Sequence, residues 1–114
     1  MDRMERLLEA LGEYGEAACF YRGQKFLVVN ERFAELFERS KEEFVDLPII
    51  EIVHNESIEM IQDFMRRRAY ANTDVPTTYE AQFKTKSNPK VTLKVIALRL
   101  KESERAVLLI LRKK

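Results

Sequence analysis

Met4, Leu7, Leu8 and Leu11 recur at i, i+3, i+4 and i+7, the spacing of a single apolar stripe on a helix from Asp2 to about Leu11. Asp2 followed by Glu5 has the form of a capping box, and Gly12 and Gly15 supply stop signals. A helix this short is marginal alone and must dock on something. Two β-branched and aromatic runs follow, Ala17 to Tyr21 and Lys25 to Val29, separated by Arg22-Gly23-Gln24. That pattern predicts a hairpin, with Gly23 taking the positive φ of a tight turn.

Asn30 is placed to cap a short helix through Phe37, with Phe33, Leu36 and Phe37 on one face. Ser40 and Glu43 form the S-x-x-E box of a second short helix, with Phe44 and Leu47 as its apolar contacts, ended by Pro48. Ile49 to Val53 makes a further turn. The longest internal helix starts at Asn55 or Ser57 and runs to about Ala71, burying Ile58, Ile61 and Met65 with Phe64 beside them. After a loop from Asn72 to Pro76 come three strands, about Thr77 to Thr85, Val91 to Leu100 and Arg105 to Arg112. Their connections, Ser87-Asn88-Pro89 and a charged turn at Glu102-Ser103, are short enough to require an antiparallel meander.

The first of these strands alternates, with Tyr79, Ala81 and Phe83 opposed to Thr78, Glu80, Gln82 and Lys84. The last two are apolar on both faces. Val91, Leu93, Val95 and Ala97 oppose Ile96, Leu98 and Leu100, and Val107, Leu109 and Leu111 oppose Ala106, Leu108 and Ile110. Such strands need cover on both sides. The inner helices cover one side; the N-terminal helix, a partner subunit or both cover the other.

Composition narrows the function classes. One domain of 114 residues with 46% apolar residues can bury a core unaided. Twenty basic and nineteen acidic residues leave a net charge of +1, which predicts no nucleic-acid partner and no attraction to anionic lipid. Cys19 is the only cysteine, so there is no internal disulfide and no CxxC metal site, and a reducing, cytoplasmic setting is expected. MDRMERLL lacks the unbroken apolar core of a signal peptide, and no apolar run has bilayer-spanning length, so direct membrane insertion is not expected.

The order of elements and the residues at their joints resemble the PAS family of sensory domains over about Ala17 to Lys113. The residues that carry the resemblance are Gly23 in the first turn, Asn30-Glu31-Arg32-Phe33 for N-x-x-F, Ser40-Lys41-Glu42-Glu43-Phe44 for S-x-E-E, and Ile52-Val53-His54. Glu38 and Asp46 stand where the family often has glycine, Asn55 where it has proline, and Ser87-Asn88-Pro89 where it has a DG turn. The resemblance implies an α+β, PAS-like fold: a five-stranded antiparallel sheet with short helices on one face, residues 16–114, and an N-terminal amphipathic capping and dimerisation helix on the other, residues 1–15. It implies a non-enzymatic sensory and signal-transduction module that homodimerises. Such a module regulates an output domain, such as a histidine kinase or cyclase, in cis or in trans. Either a small apolar ligand binds in its core, with Ile61, Phe64, Met65 and Phe83 as contacts, or the domain is a ligand-free dimerisation and protein-interaction scaffold. Dimer contacts are expected from Met4, Leu7, Leu8, Leu11, Leu98 and Leu109.

Other chemistry is thinly represented. His54 is the only histidine, so paired-histidine metal sites are absent, and it precedes the long helix from which haem-binding PAS domains draw their ligand. The flavin-type GxNCRFLQ motif is missing and Cys19 lies in the first strand, so neither haem nor flavin is expected and Cys19 reads as a buried, inert thiol. Arg66-Arg67-Arg68 spreads around a helix and reads as a solvated face paired with Glu59 and Asp63, Asp63 and Arg67 making the cleanest pair. No acid pair or phosphate loop points to catalysis. Phe33, Phe37, Phe44, Phe64, Tyr79 and Phe83 either line a cavity or fill the core, and their bulk favours filling.

Overall fold

The computed structural model describes residues 2–69, 75–99 and 106–114. Helix α1 (Arg3–Glu13) is followed by the hairpin β1 (Ala17–Arg22) and β2 (Lys25–Val29), α2 (Glu31–Leu36), two 3₁₀ turns (Lys41–Phe44 and Ile49–Ile52) and α3 (Asn55–Arg68). Strands β3 (Thr78–Phe83), β4 (Val91–Arg99) and β5 (Val107–Lys113) complete one antiparallel sheet of order β2-β1-β5-β4-β3. The architecture is the α+β arrangement expected from the sequence. The expected end of the long helix at Ala71, most of the loop from Asn72, Leu100, Arg105 and the turn at Glu102-Ser103 lie outside the described residues.

Both sheet faces are covered, as their composition requires. The inner face carries Cys19, Tyr21, Val95, Ala97, Val107 and Leu111 against α2, α3 and the 3₁₀ turns. On the outer face Ala18, Phe20, Leu108 and Ile110 form a separate core with Leu8 of α1, flanked by Met4, Leu11 and Ile96. The exposed edges are sheltered too. Phe26 N–H donates to Leu47 O and Ile49 N–H to Gln24 O along β2, while His54 N–H donates to Gln82 O and Lys84 N–H to Ile52 O along β3. The segment between α2 and α3 thus blunts both edge strands, which would otherwise offer free backbone groups to another chain.

Asn30 ties these layers together. It is 5% exposed, and its amide makes four hydrogen bonds. Phe33 and Ala18 N–H donate to Oδ1 at 2.9 and 3.2 Å, and Nδ2 donates to Leu8 O and Glu16 O at 2.9 and 3.0 Å. The helix cap expected of Asn30 is therefore one quarter of its work; the rest joins α1 and β1. Gly12 is part of that joint and not a helix stop, because α1 runs on to Glu13. A Cβ at Gly12 would stand 3.3 Å from Asn30 Nδ2. The stop is Gly15, at φ +86°, with its N–H on Gly12 O and Glu16 N–H on Leu11 O, a Schellman ending.

At two turns, residues other than glycine take the positive φ that glycine commonly supplies. Glu38 and Asp46 are the two non-glycine residues with positive φ among the described residues, at 60° and 58°. Glu38 ends α2 in the same Schellman manner, Arg39 N–H bonding Ala34 O, and its carboxylate accepts from Ser87 N–H and Oγ at 2.9 and 2.8 Å. That contact holds its carboxyl below the ordinary range and links α2 to the β3–β4 turn. The second helix expected after Ser40 is a single 3₁₀ turn that ends at Phe44, before Pro48, which instead opens the next turn. Ser40 N–H still bonds Glu43 Oε1 at 3.2 Å.

Asn30→Asp separates a cap from a joint. Asp and Asn cap helices equally well, so a cap alone predicts unchanged stability. The joint predicts a loss of about 3 kcal/mol, because a carboxylate would face two carbonyls and leave them unpaired. Gly12→Ala, which gains about 0.5–1 kcal/mol inside an ordinary helix, is expected to lower stability here, since Asn30 cannot yield. Urea unfolding midpoints of the three proteins check both expectations.

Candidate functional site

Helix α3 crosses the inner face of the sheet, and both of its ends are pinned. His54 caps it, Nδ1 accepting from Glu56 N–H at 3.1 Å, and Ser57, buried on the first turn, accepts from Gln82 N–H of β3 at 2.8 Å. At the far end Arg99 of β4 donates to Arg68 O at 3.2 Å. Between these ties Ile61, Phe64, Met65 and Arg68 occupy one helical stripe at i, i+3, i+4 and i+7. Ile61 and Met65 are buried and Phe64 is half-buried.

The inner core divides into two unlike halves, one under α2 and one under α3. One is filled with rings: Phe26, Phe33, Phe37, Phe44 and Phe83 pack with centroids 5.0 to 6.4 Å apart, mostly edge to face. Phe83, a candidate ligand contact, is part of this packing and lies 6.0 Å from Phe37. Phe64, the other aromatic candidate, belongs to the second half, where its ring meets Tyr79 edge-on at 4.8 Å. The four candidates are thus split, with Ile61, Phe64 and Met65 on one helix face and Phe83 spent on the aromatic cluster. Of the four, Met65 alone borders a described depression, about 380 Å³ and open to solvent beside Gly23 and Gln62.

Arg68 is the residue that the sequence reading misplaced. Arg66 and Arg67 are paired with Asp63 at 2.9 and 3.3 Å, so the shorter bond is to Arg66. Arg68, in contrast, is 9% exposed. It donates to Pro76 O, and its guanidinium lies beside the hydroxyls of Tyr21 and Tyr79. Burial raises both phenols, against the opposing pull of Arg68, and Tyr79 is pushed up to about 12. The clue was the spacing from Ile61 through Met65 to position 68, hidden inside a run of three arginines.

Other candidates are placed plainly. Cys19 is fully buried on the inner face, and burial pushes its thiol well above its ordinary value. His54 is half-buried and serves as a helix cap. Among the described residues no group of three or more His, Cys, Asp or Glu is arranged to hold a metal ion. No helix among them is long and apolar enough to cross a membrane. A groove of about 690 Å³ lies elsewhere, between α1, β2 and α2 over Leu8, Val28 and Asn30. Of the dimer candidates, Leu8 is buried against its own sheet, Met4 and Leu11 flank it, and Leu7 and Leu98 are 39% and 41% exposed. Leu109 pairs with Ala97 and Cys19 and shares their inner face, so it is not on the outer surface with Leu98.

No family model and no curated protein matches the chain. Solved structures do. A PAS domain from a two-component sensor histidine kinase superposes with a TM-score of 0.68 at 17% identity, covering 96% of this chain and 99% of that one. The PAS domain of an HTR-like protein from Haloarcula marismortui gives 0.69 at 18% identity over all of both chains. A PAS domain from Colwellia psychrerythraea gives 0.72 at 14% identity, covering 99% and 98%. The chain has the PAS fold.

The raised phenol predicts alkaline behaviour. Above pH 10 the unfolded chain ionises Tyr79 while the folded protein keeps it neutral, so the unfolded state binds fewer protons and stability falls as pH rises. In Tyr79→Phe that part of the alkaline slope is expected to vanish, together with a phenolate absorbance step near pH 12. Ultraviolet titration and urea unfolding at several alkaline pH values check this.

Proposed function

We propose that this protein is a non-enzymatic sensory and signal-transduction module that homodimerises and regulates an attached or partner output domain, such as a histidine kinase or cyclase, in the cytoplasm. The observation that carries the reading is the outer sheet face. An apolar strip runs along β1, β5 and β4, and α1 is its roof, leaving Leu98 and Leu7 exposed and Ile96 half-buried beyond it. A second copy placed on Met4, Leu7, Leu11 and Leu98 would extend that core, with residues 1–15 as the capping and dimerising segment and 16–114 as the sensing domain. Leu8 then steadies α1 from beneath.

The same outer face is where a change inside the domain becomes legible outside. β1, β4 and β5 carry inner-face and outer-face side chains on alternate residues, so a shift in the strands moves both cores. A small ligand beside Ile61, Phe64 and Met65 would bias such a shift, provided it binds one arrangement better than the other. The packed rings of the other half favour a second reading, in which the domain is a ligand-free dimerisation and interaction scaffold. Neither reading includes haem or flavin.

Native mass spectrometry of freshly purified protein tests the proposal. A dimer mass is expected, with Leu7→Glu and Leu98→Glu each shifting the population to monomer while the circular dichroism of the fold is kept. A wild-type monomer at micromolar concentration, or dimers indifferent to both substitutions, would contradict it. Mass retained above that of the polypeptide separates the sensing reading from the scaffold one.

A further inference from the structure

Helix α1 has two unlike flanks. Met4 and Leu11 lie on one, packed toward the outer core with Leu7 beside them; Glu5, Glu9 and Glu13 lie on the other, one turn apart, toward β2 and α2. The acidic flank is one wall of the groove of about 690 Å³ between α1, β2 and α2. Glu31 and Glu35 of α2, also one turn apart, form the other wall, and Leu8, Val28 and Val29 supply an apolar floor. Among the described residues lining it, five carboxylates meet two cations, in a chain whose net charge is +1. Both cations are engaged: Lys41 Nζ stands 4.0 Å from Glu31 Oε1, and Arg32 Nε donates to Gly12 O.

Helix stability does not account for this placement. Like charges at i and i+4 repel one another along a helix. Glu13 and Glu35 stand in the last turns of α1 and α2, where the helix dipole favours cations, and neither turn holds a basic residue. The groove also does not end at the carboxylates. Beside Glu5, Val28 and Lys41 it continues into a depression of about 180 Å³ bordered by Leu27, Phe44 and Val45. Leu27 is 37% exposed and Val45 67%, so two apolar side chains stand open at one end of an acidic channel.

We propose that this groove seats a basic amphipathic helix of a partner protein, its arginine or lysine side chains between the two acidic walls and one apolar side chain against Leu27 and Val45. Carboxylates that repeat every turn on both walls match cations that repeat every three or four residues on a third helix. The sign of the charge turns away nucleic acid and anionic lipid. The apolar end offers a place that a polyamine, which has no side chain, leaves empty. The groove is on the opposite flank of α1 from the residues proposed for dimerisation, and its use requires neither a dimer nor a core ligand.

Fluorescence anisotropy tests the groove with a labelled alanine-based peptide of about fourteen residues, arginine at every third or fourth position and leucine at one end. Saturable binding is expected at low ionic strength, weakening as salt is raised and falling about tenfold when the arginines are replaced by glutamine. The Glu9→Gln, Glu35→Gln double variant should lose about tenfold in affinity. Val45→Ser should lose severalfold, and only toward the peptide that carries leucine. The Glu59→Gln, Glu80→Gln double variant removes the same charge away from the groove and should bind as the wild type does. Each variant is expected to keep at least the wild-type urea midpoint, so that lost binding is not lost fold. No binding at low salt, equal binding of the glutamine peptide, equal losses from the two double variants, or displacement by an equal concentration of spermine would each overturn the proposal. So would a change of oligomeric mass in Glu9→Gln, Glu35→Gln, which would assign the groove to a second copy. A dimer that binds no peptide sinks this site alone, whereas a monomer that binds it sinks only the dimerisation reading.

Discussion

A single buried amide sets how the layers of this protein meet. Asn30 has two acceptor and two donor places, and all four are filled, by α2, β1, the lead into β1 and α1. Arg32 of α2 adds a further bond across the same joint, its Nε donating to Gly12 O at 3.3 Å. The geometry that Asn30 demands explains its neighbours. Gly12 must lack a side chain so that Leu8 O can approach, Gly15 must turn the chain at positive φ so that Glu16 O can, and Leu8 is thereby pressed onto Phe20 and Leu108. A partly satisfied amide at this place would be worse than an apolar residue, which makes the joint all or none.

From that joint the molecule becomes two cores sharing one sheet. The outer core is small and depends on α1. The inner core is itself divided between a ring-packed half under α2 and a half under α3 where polar groups enter. This division gives the parts different jobs. Interlocked rings have little freedom to rearrange, and they fix the β2 side, whereas the α3 side sets phenols and an arginine among small residues.

Much of this was legible in the chain. Caps at Asp2, Asn30 and Ser40, the turn at Gly23 and the doubly apolar strands each have a local cause, so local reading finds them. What remained hidden depends on tertiary geometry. Gly12 looks like a helix stop until Asn30 is brought beside it. Leu98 and Leu109 look alike until the register pairs Leu109 with Ala97 and Leu98 with Leu108, which puts them on opposite faces. Arg68 looks like its two neighbours because charge predicts exposure; its place on the stripe of Ile61 and Met65, beside Tyr21 and Tyr79, is what buries it. The apolar candidates Ile61, Phe64 and Met65 share their helix stripe with the buried Arg68, which apolar spacing alone does not single out.

The central claim is that α1 is an integral layer, locked to the sheet through Asn30, and not an appendage that rests on it. Native-state hydrogen exchange tests this most directly. If the claim holds, the amides of Ala18 and Phe33 and those of the middle of α1 open together with the strands of the sheet, at a shared free energy that depends equally on added urea. If α1 exchanges at far lower protection while the Ala18 and Phe33 amides keep the full stability of the sheet, Asn30 is only a helix cap and the joint between the two faces does not exist.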